Sequence, residues 1–392
     1  MKLLLLPSLV GSLFTLALAA DPLRDCSTSS PKLNGANFPL IESGDNTNIA
    51  ALRSLLPVVT VSDILDSGNH KVTKVTSSSN PKPGGTWVDA YKWSATSDFN
   101  DFGTSKWVPQ GISGTWDAYD AGTVEGRKAW VVSWHNADDT SVRVTFVDRE
   151  TLKYRHVLLV EPKKKTDGQV TFDAVPVHAG GIMWYGDTLW VVDTWKGVRV
   201  FDLKNIWKVS IGDGVGRTSS GTFTAQNYAY VIPQVRTYKP NYTTDAKMRF
   251  SFIHLDRTTT PDSIVVAEYN SASTAANRVV RWPLDYTTRK LKKDAEGSRV
   301  TSANFAYCHD ILRVQGVMSV NGKYYLGRSN GANKGDMWAW VPGSAARNNA
   351  GFLPAGTEDL SYNKNGGEFY TASERTNERY IVVMKTSAVL FN

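Results

Sequence analysis

Three of the six histidines in the chain, His135, His178 and His309, fall just before or just after short apolar runs, where an imidazole can project from a strand end. Trp195, Arg236, Arg328 and Asn330 occupy similar points, and Tyr230 and Arg281 lie within neighbouring runs. Imidazole, phenol and guanidinium groups suit β-elimination at a uronate. In that reaction a cation neutralises the C6 carboxylate and so acidifies the C5 proton. A Tyr or His removes that proton, and an acid protonates the departing O4. Arg236, with Arg281 or Arg328, is the candidate for the first task. His135, His178, Tyr230 and His309 are the candidates for the proton transfers, with Trp195, Arg281, Arg328 and Asn330 contacting substrate.

Each residue also has a structural use. His178 can hydrogen-bond its own loop, His309 can orient Asp310, and Arg236 or Arg328 can stack on aromatic rings. The sequence has no Gly-x-Ser-x-Gly elbow, no His-Glu-x-x-His and no phosphate loop. Hydrolysis of a glycoside would need two carboxyls across the scissile bond. Asp193 and Glu268 are the nominees, although Asp193 in Val-Val-Asp-Thr also fits a hairpin cap. No dense carboxylate cluster has calcium-ligand spacing, so no metal or other cofactor is expected to be required; calcium is the one ion left open.

The elements that must position these groups are short strands. His178–Leu203 divides into Gly181–Tyr185, Thr188–Val192 and Val198–Leu203, with Gly-Asp and Trp-Lys-Gly as the intervening turns. Such a meander reads as one blade of a β-propeller, which cannot bury both faces without neighbours. An antiparallel sandwich is the competing architecture. Similar units recur at Ile112–Val160, Asn227–Tyr269, Gly316–Val341 (with Asn321-Gly322 as a type I′ turn) and Asp359–Met384. Arg278–Leu284 reads as a further strand, and an opening unit is expected near Thr86–Trp93. Asn48–Leu56 is the one convincing helical pattern. The fold class expected is all-β, a single propeller over residues 21–392, with seven blades preferred over six at roughly 40–50 residues per blade. The aromatic complement of 13 Trp, 16 Tyr and 14 Phe fits that class.

Residues 1–20, with Lys2, an apolar run and then Ala17, Ala19 and Ala20, read as a secretory signal peptide. A secreted, extracellular protein is therefore expected, and no later segment has the length of a membrane span. Cys26 and Cys308 are the only cysteines and would pair outside the cell. Asn241-Tyr242-Thr243 is a glycosylation sequon. The net charge of +7 is scattered, apart from Lys163-Lys164-Lys165. That distribution excludes a nucleic-acid stripe and favours an anionic glycan as partner. The chain is expected to be a monomer.

The segments VHAGGIMWYGDTLWVVDTWKGVRVFDL, NYAYVIPQVR and YCHDILRVQGV resemble a family of secreted fungal propellers. That family includes the L-rhamnose-α-1,4-D-glucuronate lyases that act on gum arabic. The resemblance implies a seven-bladed propeller with a pocket on one face. It also implies release of terminal rhamnose from glucuronate caps of plant arabinogalactan, with His and Tyr moving protons and Arg neutralising the carboxylate. A non-catalytic carbohydrate-binding propeller and a secreted glycoside hydrolase are the alternatives. A lectin would repeat equivalent sites in every blade, whereas the strand-end residues here differ from blade to blade.

Overall fold

The computed structural model describes residues 32–80, 82–242, 247–272 and 277–392. They form an all-β propeller, the class expected from the hairpin repeats. The first blade is Trp107–Gly114, Ala129–Asn136, Val142–Asp148 and Lys153–Lys164, paired antiparallel in that order. The second is Ile182–Tyr185, Thr188–Asp193, Gly197–Asp202 and Tyr230–Pro240. The third is Phe252–Asp256, Ser263–Ala267, Asn277–Asp285 and Phe305–His309. The fourth is Val314–Val320, Lys323–Asn330, Asn333–Trp340 and Arg347–Leu353. The fifth is Thr357–Asn363, Glu368–Ser373 and Tyr380–Lys385, completed on its outer edge by Asp89–Lys92 from the other end of the chain.

The blade number therefore differs from the seven, or six, expected. Among the described residues five blades surround the axis. Two features of the sequence mislead the count. Asn227–Val235 looks like the start of a blade, but Tyr230–Pro240 is the outer strand of the second, paired with Gly197–Asp202. The run near Thr86–Trp93 opens no blade and instead closes the fifth. Much of the chain also lies outside the blades. Residues 32–80 and 82–88 wrap the outside and include two short helices, Asn48–Arg53 and Val61–Asp66. The second helix starts at a capping box between Thr60 and Asp63, and its six residues are too few to show a period. Thr115–Ala118, within the unit expected from Ile112 onward, is a helical turn.

Where hairpin chemistry is strong, the expected turns are present. Asn321 and Gly322 both have positive φ, at 50° and 76°, between paired Val320 and Lys323. Middle strands are buried on both faces, because each blade is covered by its neighbours. Val142–Asp148 is accordingly buried throughout, including Arg143 and Thr145, although its sequence largely alternates apolar and polar residues. Nine tryptophans, among them Trp93, Trp130, Trp134, Trp184 and Trp190, are at most 2% exposed within these layers.

The inner strands come very close together around the axis. A Cβ on Gly111 would lie 2.6 Å from Ile182 N, and one on Gly181 would lie 2.5 Å from Ile253 N. The fifth blade places Asp359 at the same level. Its carboxyl accepts from Ile182 N at 3.0 Å and Ile112 N at 3.4 Å, spanning two other blades. Burial holds this carboxyl well above the usual carboxylate range. The axis is thus a packed throat, and a site on the axis must sit in its mouth.

Candidate functional site

Inner strands begin, and second strands end, on one face of the propeller. On that face a cavity of about 370 Å³ is lined from four blades. The first blade contributes Gln110, the second His178, Gly180, Thr194 and Trp195, the third Arg249, Ser251 and Tyr269, and the fourth Gln315. Gln110, Gly180, Ser251 and Gln315 stand at matching positions of their blades, each one residue before the packed throat level. Trp195 follows the second strand of its blade and is 56% exposed, an open aromatic face at the rim. The guanidinium of Arg249 lies 5.2 Å from that ring's centroid. It donates to Tyr269 O at 3.2 Å. Among the described residues Arg249 has no carboxylate partner.

His178 reaches this cavity from the loop before the inner strand of the second blade. The loop is held by the neighbouring blade, since Ser133 Oγ donates to Ala179 O at 2.9 Å and accepts from Gly111 N at 2.9 Å. Ala179 has a φ of 56°. Beside His178 stands His135, with ring centroids 4.1 Å apart. Asp139 Oδ1 is 2.6 Å from His135 Nδ1 and 3.2 Å from His178 Nδ1. Burial pushes the His135 imidazole pKa down, and the neighbouring His178 adds to the effect.

On the fifth-blade side of the cavity, bound to two of its lining residues, are two glutamates. Gln315 Nε2 donates to Glu358 Oε1 at 3.1 Å, and Gln110 Nε2 donates to Glu374 Oε2 at 3.1 Å. Burial first, and Glu374 second, raise the Glu358 carboxyl well above its ordinary value.

The structure gives the remaining expected site residues other surroundings. Arg236 is on an outer strand and donates to Asp45 at 2.8 and 3.2 Å. Tyr230 opens that same strand at the end away from the cavity, 9% exposed, with Arg155 stacked 5.4 Å from its ring centroid. Arg281 is in the third strand of its blade, donating to Asp256 at 3.2 Å and Ser319 at 2.7 Å between the rings of Phe305 and Tyr324. Arg328 is paired with Asp336 at 3.2 Å, and Asn330 closes a hairpin opposite Asn333. His309 is 1% exposed, and burial pushes its imidazole down to about 3. None of these lines the cavity. Of the nine, His178 and Trp195 do, and His135 touches its wall.

The carboxyls nominated for hydrolysis are also engaged, Asp193 by Arg199 at 2.9 Å and Glu268 by Arg278 at 2.6 and 2.8 Å. Cys308 is fully buried and disulfide-bonded. Cys26 and residues 1–20 lie outside the described residues. Asn241 is exposed, while Thr243 of its sequon lies outside them. No helix among the described residues is long and apolar enough to cross a membrane.

Sequence reading missed Arg249, Tyr269, Gln110, Gln315 and Asp139. The repeated Gln-Gly at 110–111 and 315–316, matching Gly180-Gly181, was an available signal of the throat level. A second cavity of about 380 Å³ lies between the 98–107 loop and the first blade. Its central Asp101 is already bound by Arg143 at 2.6 Å, Tyr154 at 2.7 Å and His156 at 2.9 Å. Both carboxylate oxygens of Asp101 are thus engaged within the protein.

No described protein family and no curated protein matches the chain. Among solved structures, the β-propeller domain of Cps50 (Swd1) from Myceliophteria thermophila is similar over 70% of this chain and 95% of that one, at 8% identity and a TM-score of 0.35.

Proposed function

We propose that the axial cavity is the substrate site of a secreted polysaccharide lyase that eliminates at glucuronate. The observation that carries this reading is Arg249, a guanidinium lining a cavity without a carboxylate of its own. Such a cation favours an anionic group entering the cavity, and a uronate carboxylate fits its planar fork. Trp195 offers an apolar face for a sugar ring beside it, and Gln110 and Gln315 offer amides for hydroxyls. Tyr269 and His178 are the groups within the cavity for proton transfer. Terminal rhamnose on glucuronate caps of plant arabinogalactan is the substrate that the family resemblance suggests.

The test is incubation with gum arabic and other glucuronate-bearing glycans. Elimination forms a 4,5-unsaturated uronate that absorbs in the ultraviolet. Arg249→Ala should lower turnover at least a hundredfold at unchanged melting temperature. Absence of the chromophore from every uronate glycan would overturn the reading. Glu358, its carboxyl raised by burial and by the neighbouring Glu374, favours a second reading, hydrolysis, which would release reducing sugar without the chromophore and be lost in Glu358→Gln.

A further inference from the structure

His178, together with two groups on the cavity wall beside it, carries a further function. His135 and Asp139 belong to the hairpin between the second and third strands of the first blade, and His178 to the loop entering the second. One donor atom from each falls within 4.8 Å of the other two. We propose that His135, Asp139 and His178 bind a divalent transition-metal ion of the zinc type at the edge of the cavity.

Two imidazoles and one carboxylate are a ligand set that suits zinc and its neighbours and suits calcium or magnesium poorly. Three protein ligands leave a coordination position for a substrate oxygen. Around tetrahedral zinc, ligand atoms stand roughly 3.4 Å apart. The observed separations of 2.6 and 3.2 Å from Asp139 Oδ1 reach that value with small side-chain movements. Asn136 O, 2.8 Å from His135 Nδ1, is a further oxygen at the same place.

The ligands are held in place before any ion arrives. Asn136 Oδ1 accepts from Thr140 N at 2.8 Å and Ser141 N at 2.9 Å, fixing the turn that carries Asp139. Asp139 itself has a φ of 52°. Ser133 ties the His178 loop to the same blade. The protein donors come from two blades, so the ion would also staple one blade to the next. Metal binding is independent of the elimination reading; only the ion's use as a second cation for a carboxylate rests on it. In that use His178 is a ligand, and Tyr269 is left as the proton-transfer group.

The experiment uses the full secreted chain without a histidine tag, stripped with chelator and titrated with zinc chloride by calorimetry and with cobalt chloride by visible absorption. One ion per chain is expected, with the d–d bands of low-coordinate cobalt, and no competition from millimolar calcium or magnesium. His178→Gln and Asp139→Asn change exposed side chains and should each weaken zinc at least tenfold while keeping the metal-free melting temperature. Failure of the wild-type chain to take up zinc, or undiminished uptake by both variants, would overturn the site. Zinc uptake without lyase activity would count against the elimination reading alone.

Discussion

Arg236, Arg249, Arg281 and Arg328 carry the same charge, and what stands opposite each decides its use. Asp45, Asp256 and Asp336 neutralise three of them, and Arg249 has no such partner among the described residues. Asp256 is fully buried, so Arg281→Ala would strand a carboxylate in the interior. The expected loss is about 3–5 kcal/mol, measured as a lowered urea midpoint, with Arg281→Met recovering none of the charge pairing. Arg249→Ala should leave that midpoint unchanged. Residue type and local pattern located His178 and Trp195, because turn residues bracket them. They could not separate Arg236 from Arg249, since Asp45 lies 191 positions from the arginine it neutralises. Arg249 has no turn signal of its own and reads as part of the strand that follows.

Strands and hairpins were largely legible, because two-residue turns and continuous apolar runs are local properties. The assignment of strands to blades was not, since an outer strand and an inner one can have the same composition. What marks three of the five inner strands is a glycine at the throat, Gly111, Gly181 and Gly316. Gly181→Ala would drive a Cβ into the backbone of Phe252 and Ile253 at 2.5 Å. The expected cost is about 1–3 kcal/mol, read as a lower melting temperature. Gly44→Ala, where a Cβ meets nothing within 4 Å, is the control and should be close to neutral. Ser133→Ala tests the tether between blades. It should weaken zinc while moving the melting temperature little, since one side-chain hydroxyl contributes about 1 kcal/mol.

At the scale of the whole molecule, several buried ionisable groups couple folding to pH. Asp117 is pushed up to about 7 by burial, against hydrogen bonds from Ser113 and Ser361. Between the unfolded value near 3.8 and about 7 the folded chain holds a proton that the unfolded chain has lost. That contribution to stability is therefore present at acid pH and declines as pH rises to about 7. His156, His254 and His309, pushed down to about 4, 4 and 3 by burial, act in the opposite sense below 6.5. Wild-type stability alone mixes the two. The difference between wild type and Asp117→Asn isolates the carboxyl. The variant should gain on the wild type by a few kcal/mol from pH 4 to 7 and run parallel above it, as followed by denaturant titration across pH. A difference constant over that range would refute the protonated state of Asp117.

The fifth blade takes its outer strand from Asp89–Lys92, nearly 300 positions before its partner Tyr380–Lys385. A nascent chain emerging from the ribosome can build four blades in turn, yet the ring stays open until Tyr380–Lys385 has been made. Removing the final dozen residues would therefore do more than trim a tail. It would strip the clasp from a completed necklace, leaving Asp89–Lys92 without its partner and the edge of Glu368–Ser373 open to any passing strand.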